Sequence, residues 1–255
     1  MNGRTKISLR GLHKAFGEKV VLRGVDLDVP EGSSTVIMGG SGMGKSVLLK
    51  HVIGLLRPDA GEVLIDGGDI GPLSESGLNT LRKQFGMSFQ EGALFDSMTV
   101  FDNIAFPLRR HSGLDRGAIA DRVRECLKIV NLHDVEEKMP AELSGGMRRR
   151  VGFARAIALK PRILLFDEPT TGLDPVMTAL IADTIRALTN DETVTAMTIT
   201  HDLQAAYAIA DRIAMIFQGR IVFCGTPEEF QASADPVVAQ FRTSNPIGPL
   251  TEAEL

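Results

Sequence analysis

Three short segments of the chain carry residue types that bind phosphate groups and metal ions. The first, GGSGMGKS at residues 39–46, matches the phosphate-binding pattern G-x-x-x-x-G-K-[ST] and is called the P-loop below. The second, LSGGM, occupies residues 143–147, and the third, ILLFDEP, occupies residues 163–169 and contains two adjacent acids. Glycines and a lysine for phosphate, with acids for Mg²⁺ and water, predict a site that binds and hydrolyses ATP.

The P-loop lies where a strand passes into a helix, because an apolar run at 35–38 precedes it and a helix-like run at 47–53 follows it. Glycine has no Cβ, so its backbone N–H can turn towards phosphate oxygens. Lys45 supplies a positive charge to the β- and γ-phosphates, and Ser46 supplies a hydroxyl to Mg²⁺. A glycine-rich connector without a ligand is the alternative, which the complete motif disfavours. The residues predicted to contact nucleotide here are Gly39, Gly40, Ser41, Gly42, Met43, Gly44, Lys45, Ser46 and Val47.

The third segment places two carboxylates at the end of a strand. Residues 163–166 are all apolar, as expected for a parallel strand that is covered on both faces. Open α/β sheets bind ligands at the carboxyl ends of such strands. Asp167 is therefore expected to hold Mg²⁺, directly or through water, and Glu168 to orient and deprotonate the attacking water. A pair of acids that only caps a helix at Pro169 is the structural alternative.

The second segment is a further anion-binding cap. Ser144 is a good N-cap residue, and Gly145 and Gly146 leave the backbone free to approach phosphate. A chain with one P-loop has no obvious need of two such caps, so ATP is predicted to lie between two copies of the chain. Residues 144–146, called the glycine cap below, would then face Lys45 of the other copy. The basic run at 148–150 is expected to be a solvated or phosphate-facing stripe on the following helix.

In their order, these segments resemble the motifs of the ATP-binding cassette (ABC) family, and the resemblance extends over residues 6–230. It implies an α/β fold, in which a P-loop NTPase core carries an antiparallel β subdomain and an inserted α-helical subdomain. The family usually has Gln at the position of Met147, but phosphate contact does not depend on that side chain. The implied cofactors are ATP and Mg²⁺, and the implied activity is ATP hydrolysis coupled to transport.

The resemblance also assigns roles to four isolated residues. Gln90 matches a Mg²⁺ and water ligand that senses the γ-phosphate, and His201 matches a switch histidine that contacts it. Asp174 belongs to a loop along the dimer interface, and Phe16 takes the place of the adenine-stacking aromatic residue, usually Tyr. Taken alone, a single Gln is uninformative and a lone His is more often structural. The expected catalytic residues are thus Lys45, Gln90, Glu168 and His201, and the expected metal contacts are Ser46, Gln90 and Asp167.

The composition is that of a cytosolic chain with a sizeable core. With 255 residues and 44% hydrophobic content, it can bury one large core or a core with a subdomain. Its net charge of −4 disfavours a nucleic-acid surface. Cys126 and Cys224 are expected to be small buried hydrophobes in a reducing compartment. Neither a signal peptide nor an apolar stretch of the ~20 residues that a membrane span needs is evident, so any pore would be another protein.

The elements that must position these motifs follow from hydrophobic periodicity. Short strands such as 25–29 and 62–66 alternate with turns, residues 115–130 predict an amphipathic helix, and strand 162–167, helix 176–189, strand 193–199, helix 202–210 and hairpin 212–225 follow. We expect residues 1–89 to form the first part of the nucleotide-binding core, with the antiparallel β subdomain and the P-loop. Residues 90–160 would form the α-helical subdomain and 161–230 the second part of the core. Residues 231–255 would be a C-terminal tail, with disorder expected from 243.

Within the family, residues 90–109 resemble the ATPases of phospholipid transporters that maintain outer-membrane lipid asymmetry, the Mla or MCE-associated group. LSGGM and the segment 235–241 agree with that group. The resemblance implies a homodimer on the cytoplasmic face of the inner membrane, bound to an integral membrane permease. A periplasmic lipid-binding MCE-type protein and a small regulatory subunit would be further partners. Asn103, Phe106 and Pro107 lie where such an ATPase touches its membrane partner, whereas Val100, Phe101, Ile104 and Leu108 fit a buried stripe.

Other classes of cassette protein are compared with this chain by the length between two motifs and by the number of cassettes. Only 98 residues lead from Ser46 to Ser144, which leaves no room for the long coiled-coil arms of chromosome-maintenance and DNA-repair members. Cassette translation factors carry two cassettes, and this chain carries one. ATPases of amino-acid importers share most of the motifs and remain the alternative transporter. An ATP-dependent binding module that never meets a membrane remains the alternative outside transport.

Overall fold

The secondary structure places the P-loop between a strand and a helix, as its sequence context predicts. This computed structural model describes residues 4–89, 92–190 and 193–252. Its strands are β1 (Thr5–Phe16), β2 (Lys19–Pro30), β3 (Ser34–Met38), β4 (Ala60–Ile65), β5 (Gly68–Asp69), β6 (Phe85–Ser88), β7 (Ile163–Asp167), β8 (Thr195–Thr200), β9 (Arg212–Phe217) and β10 (Arg220–Gly225). Its helices are α1 (Lys45–Val52), α2 (Glu75–Arg82), α3 (Val100–His111), α4 (Arg116–Ile129), α5 (Gly145–Ala156), α6 (Pro175–Thr189), α7 (Leu203–Ile209), α8 (Pro227–Ala232), α9 (Pro236–Thr243) and α10 (Pro249–Glu252), with a 3₁₀ helix at Pro140–Glu142.

Six strands form the core sheet, which carries the P-loop. Their order is β10-β9-β3-β8-β7-β6, in which the strands from β9 to β6 pair in parallel and β10 pairs antiparallel at one edge. Every residue of β3 and of β8 is buried, as expected for parallel strands with both faces covered. Because β8 lies between β3 and β7, this order brings the P-loop, the two acids and His201 to the same edge of the sheet, where the carboxyl ends of the parallel strands lie.

A second, antiparallel sheet with the order β2-β1-β4-β5 packs over α1. Leu27 and Val63 of this sheet share one buried cluster with Leu48 and Leu49 of α1 and with Ile37 of β3. The helix that follows the P-loop is therefore enclosed between the two sheets. Its burial fixes the direction in which the P-loop enters the helix.

In the described part of the chain, three α-helices lie between β6 and β7, and each begins at an N-cap. The side chains of Thr99, Asp115 and Ser144 each accept a hydrogen bond from the backbone N–H three residues later. The predicted helix at 115–130 is confirmed as α4. Buried side chains of α3, α4 and α5 share a cluster with Phe166 of β7, which fixes this helical segment against the core sheet. Among the described residues, no helix is both long and apolar enough to cross a membrane.

The end of the chain is folded on α9, so the disorder predicted from residue 243 is wrong as far as residue 252. Gln240 is 6% exposed, and its Oε1 accepts a hydrogen bond of 2.7 Å from the backbone N–H of Leu250. Its Nε2 donates to the carbonyl of Asn245 at 3.1 Å. One side chain of α9 thus satisfies backbone groups of a segment that has no periodicity of its own, which is why the sequence pattern did not reveal it.

The two cysteines occupy different environments. Cys126 is buried in α4, as expected, and burial raises the pKa of its thiol to about 11. Cys224 is exposed, so the prediction that it is buried is wrong. It lies on β10, an edge strand whose residues alternate between exposed and partly buried positions, and it falls on the exposed side.

The expectation that Asn103 contacts a membrane partner is also wrong, because Asn103 is fully buried. Its carboxamide accepts a hydrogen bond from the backbone N–H of Phe95 at 2.8 Å. It donates to the carbonyls of Phe95, Met98 and Thr99 at 3.1, 3.0 and 3.0 Å. Asn103 therefore holds the loop before α3, while Phe106 and Pro107 stay partly exposed.

Replacing Asn103 by Ala is expected to lower the free energy of unfolding by about 2–3 kcal/mol, because the N–H of Phe95 and the carbonyl of Met98 would lose their partner. The change is measured from urea unfolding midpoints at a constant slope. Arg109→Ala on the same helix is the control; its exposed ion pair with Asp102 contributes less than about 1 kcal/mol. Equal stability of the two variants would contradict the role given to Asn103.

Candidate functional site

The P-loop has a shape that only glycine permits at two of its positions. Gly39 and Gly44 have φ values of 157° and 96°. A Cβ on Gly39 would lie 2.6 Å from the carbonyl oxygen of Ile216, and a Cβ on Gly44 would lie 3.0 Å from Val21. Backbone strain and steric overlap would thus both oppose a side chain there. The loop curls directly into the N-terminus of α1, where unpaired N–H groups and the helix dipole favour an anion.

Lys45 carries a buried positive charge beneath this loop. Its side chain is 7% exposed, and its Nζ donates hydrogen bonds to the carbonyls of Gly39 at 2.8 Å and Gly40 at 3.0 Å. The carboxylate of Glu168 lies 3.3 Å away. These acceptors fix the ammonium at the centre of the loop, where phosphate oxygens can replace them.

The carboxylate of Asp167 and the hydroxyl of Ser46 form an oxygen donor pair at the end of β7. Ser46 Oγ donates to Asp167 Oδ1 at 3.3 Å. Burial raises the pKa of Asp167 above its ordinary value, and the neighbouring charge of Glu168 acts in the same direction. A partly buried carboxylate beside a hydroxyl offers the hard oxygen ligands that Mg²⁺ prefers, and a cation would offset the cost of the buried charge. The donor set therefore fits Mg²⁺.

Both the backbone and the carboxylate of Glu168 are held by contacts with other residues. Its φ of 48° lies in the left-handed region, which is unfavourable for a residue with a side chain and is often found at functional sites. Its backbone N–H donates to the carbonyl of Ile199 on β8 at 2.9 Å. Its Oε2 accepts a hydrogen bond of 2.9 Å from the hydroxyl of Thr171, and Nδ1 of His201 also lies 2.9 Å from it. The structure therefore brings Lys45, Glu168 and His201 together, as the sequence predicts.

A cleft of about 450 Å³ lies over Lys45 and Glu168. Phe16 is 48% exposed at its edge, in a position to stack on a flat ring. Lys19 and Val21 also line the cleft and were not identified from the sequence. They follow Phe16 across the β1–β2 turn, where Phe16 pairs with Lys19, so the hairpin register was the available signal. The predicted residues in the lining are Phe16, Ser41, Gly42, Gly44, Lys45, Ser46, Val47 and Glu168.

The glycine cap and Asp174 are not part of this cleft. Ser144 caps α5, and Gly146 is packed so closely that a Cβ would lie 2.6 Å from Met177 of α6. Asp174 caps α6, where its Oδ1 accepts from two backbone N–H groups at 3.0 Å. Among the described residues, the lining of the P-loop cleft includes none from 144–146 and does not include Asp174. Met43 likewise turns away from it and packs in the buried cluster beside α1.

Gln90 lies outside the described residues. Gly92 is the first described residue after it and packs against α5, because a Cβ on Gly152 would lie 2.9 Å from the Cα of Gly92. Arg155 of α5 donates to the carbonyl of Gly92 at 2.9 Å. Gly92 is thus attached to the helix that begins at the glycine cap.

Comparisons with known proteins agree with this geometry. A family model described as ABC transporter matches residues 22–171, which include the P-loop, LSGGM and both acids. The probable ribonucleotide transport ATP-binding protein mkl of Mycobacterium leprae is 45% identical over 97% of this chain and 72% of its own length. The intermembrane phospholipid transport system ATP-binding protein MlaF of Escherichia coli K12 is 40% identical over 96% of this chain and 91% of its own. A dimeric post-hydrolysis structure of the ATP-binding cassette MJ0796 with ADP and Pi superimposes with a TM-score of 0.80, 31% identity and coverage of 87% and 98%.

Replacing Asp167 by Asn is expected to stabilise the nucleotide-free protein at neutral pH. Because burial raises the pKa of Asp167 in the folded state, its ionised form destabilises the fold above that pKa, and the penalty disappears as the pH falls towards the unfolded value. The melting temperature in EDTA should therefore be higher for Asp167→Asn than for wild type at pH 7.5, with a difference that shrinks towards pH 4. Asp183→Asn, an exposed carboxylate on α6, should leave it unchanged. A lower melting temperature for Asp167→Asn at pH 7.5 would contradict the effect of burial.

Proposed function

This chain belongs to the ABC transporter family and hydrolyses ATP with Mg²⁺, and from that premise we propose that it drives a membrane transporter that moves phospholipids between the membranes of a bacterial envelope. The catalytic part of this proposal rests on one observation. Four side chains lie together at one edge of the core sheet: Lys45, Asp167, Glu168 and His201. The phosphate site and the carboxylate that can activate water lie within one cleft.

The nucleotide lies in the P-loop cleft. Phe16 stacks on the adenine, and backbone N–H groups of the P-loop and the start of α1 bind the phosphates. Lys45 exchanges the carbonyls of Gly39 and Gly40 for phosphate oxygens. Ser46, Asp167 and Gln90 hold Mg²⁺, which supplies charge neutralisation at the β- and γ-phosphates.

Glu168 activates the attacking water. Its Oε2 is engaged by Thr171 and His201, whereas its Oε1 faces the ammonium of Lys45. When Lys45 turns to the phosphates, Oε1 becomes free to accept a proton from water. His201 and Gln90 contact the γ-phosphate and hold that water in line with it.

A second copy of the chain completes the site. One chain by itself does not bring its glycine cap or Asp174 into its own cleft, and both are N-caps at the surface. An exposed helix N-terminus with two glycines is suited to bind the γ-phosphate held by the partner's P-loop. The MJ0796 cassette with ADP and Pi is dimeric, which supports this arrangement.

The membrane partner binds at an aromatic surface on the helical segment, called the Phe95–Phe106 surface. The two ring centroids lie 5.0 Å apart, and Phe95 is 43% exposed. The guanidinium groups of Arg155 and Arg110 lie 5.7 Å and 5.6 Å from the respective centroids. Exposed aromatic residues beside arginine are typical of protein interfaces. Arg155 also contacts Gly92, so this surface is connected to the loop after Gln90.

The proposed assembly is a homodimer on the cytoplasmic face of the inner membrane, bound to an integral membrane permease. A periplasmic lipid-binding MCE-type protein, reached through the permease, and a small regulatory subunit complete it. Phospholipid is the proposed cargo because the match with MlaF covers 91% of that protein's length. The name of mkl instead gives ribonucleotides, so the test must separate the two cargoes.

Glu168→Gln is expected to bind ATP with wild-type affinity but to lower kcat at least about 100-fold, because a general base is lost while the phosphate contacts remain. Calorimetry gives the affinity and phosphate release gives the rate. Lys45→Ala should instead weaken ATP binding about 10-fold or more, whereas Lys50→Ala, exposed on the same helix, should not. Near-wild-type turnover by Glu168→Gln would remove Glu168 from the base role.

The transport proposal is tested by purifying the tagged chain from its own detergent-solubilised membranes and identifying bound proteins and small molecules by mass spectrometry. An integral membrane protein and enriched phospholipid are expected. Phe95→Asp combined with Phe106→Asp should lose the membrane protein but keep ATP affinity, and Leu55→Asp, at an exposed site on the core, should keep both. Enriched ribonucleotide without phospholipid would replace the cargo, and the absence of any membrane protein would favour a non-transport module.

A further inference from the structure

We propose that Thr171 and Arg149 are positioning residues, which together connect the helix of the glycine cap to the carboxylate of Glu168 within one chain. The inference rests on the proposed function, because it concerns how the catalytic carboxylate is oriented. In addition to the contact across the dimer, it describes a direct connection inside each copy of the chain.

The first link is the hydroxyl of Thr171. It donates a hydrogen bond of 2.9 Å to Glu168 Oε2, whereas the backbone contact between the same two residues is weak, with the N–H of Thr171 3.4 Å from the carbonyl of Glu168. His201, whose Nδ1 lies 2.9 Å from the same Oε2, is half exposed. The hydroxyl of Thr171 is therefore a donor to Glu168 that comes from the loop after β7. This hydrogen bond holds Oε2 so that Oε1 faces the cleft.

The second link is the guanidinium of Arg149. It lies in the first half of α5, and its Nη2 donates to the backbone carbonyl of Thr171. Residues 148–150 are not a fully solvated stripe, because they are partly buried and all three guanidinium groups bind backbone carbonyls of their own chain; that they face phosphate stays a prediction. Arg148 binds the carbonyl of Leu143 and Arg150 that of Asn131, both at 2.8 Å and both within the helical segment. The contact of Arg149 differs because its acceptor lies in the loop after β7.

The loop is thus fixed from two directions. On the side of the core sheet, the hydroxyl of Thr170 donates to Asp202 Oδ2 at 3.2 Å. On the side of the helical segment, Arg149 holds the carbonyl of Thr171. The carbonyl that binds Arg149 and the hydroxyl that binds Glu168 both belong to Thr171. A shift of α5 relative to the core sheet therefore moves the hydroxyl that donates to Oε2. Occupation of the glycine cap by the partner's nucleotide would therefore reorient Glu168 in the chain that supplies the cap.

The test of the first link compares Thr171→Val, which keeps the side-chain shape and removes the hydroxyl, with Thr171→Ser, which keeps the hydroxyl. Thr171→Val is expected to lower kcat about 10-fold, which corresponds to about 1.4 kcal/mol in the activation barrier. KM for ATP and the calorimetric ATP affinity should stay within about 2-fold, because no phosphate contact is lost. Thr171→Ser should restore kcat to within about 2-fold of wild type. Thr171→Ala repeats the comparison if the Val variant does not fold.

The test of the second link compares two arginines on the same helix. Arg149→Met is expected to lower kcat about 5- to 10-fold at unchanged ATP affinity. Arg150→Met removes an equivalent guanidinium–carbonyl contact inside the helical segment, so it should lower the melting temperature and leave kcat within about 2-fold. Combined with Thr171→Val, Arg149→Met should cause no further loss, because Arg149 acts through Thr171.

Three results would overturn the inference: wild-type kcat in Thr171→Val, an equal loss of kcat in Thr171→Ser, or fully additive losses in the double variant. Its failure is distinct from that of the proposed function. If Glu168→Gln is inactive while Thr171→Val is fully active, only the positioning role is lost. If Glu168→Gln turns over at the wild-type rate, the proposed base itself is wrong.

Discussion

The buried ammonium of Lys45 is the interaction on which the site depends. A charged group that is 7% exposed must be paired, because an unpaired charge in the interior is costly. The carbonyls of Gly39 and Gly40 and the carboxylate of Glu168 provide that pairing without nucleotide. Binding of a triphosphate is therefore an exchange of partners around an existing charge. In the mechanism proposed above, the same exchange releases the carboxylate of Glu168 to act on water, which would connect binding to catalysis.

The two acids of the site are held in unfavourable states. Burial and a like-charged neighbour raise the pKa of Asp167, and Glu168 has a left-handed backbone. The surrounding structure keeps both in place, through the hydroxyl of Ser46 and through the contact of Glu168 with Ile199 on β8. A cation bound at Asp167 would offset the unfavourable charge there, so metal binding would also stabilise the fold.

The helical segment meets the catalytic edge of the sheet at two loops, and α5 contacts both. Gly152 and Arg155 contact Gly92 after Gln90, and Arg149 contacts Thr171 after the acidic pair. The helix that begins at the glycine cap thus contacts the chain after β6 at Gly92 and the chain after β7 at Thr171. The Phe95–Phe106 surface lies on the same helical segment, so a shift of this segment would connect the proposed membrane partner with the nucleotide and with Glu168.

The sequence by itself determined the features that depend on local chemistry. These are the P-loop between strand and helix, the acids at the end of a buried strand, the N-cap Ser144 and the parallel core, because turn residues and apolar periodicity record them directly. Only the tertiary structure decided the features that depend on distant partners. Asn103 is buried by a loop, Arg149 binds the carbonyl of Thr171, and Gln240 folds the tail onto α9. A polar side chain has the same appearance in a sequence whether its partner is water or a backbone group far along the chain, and only the packed fold selects between them.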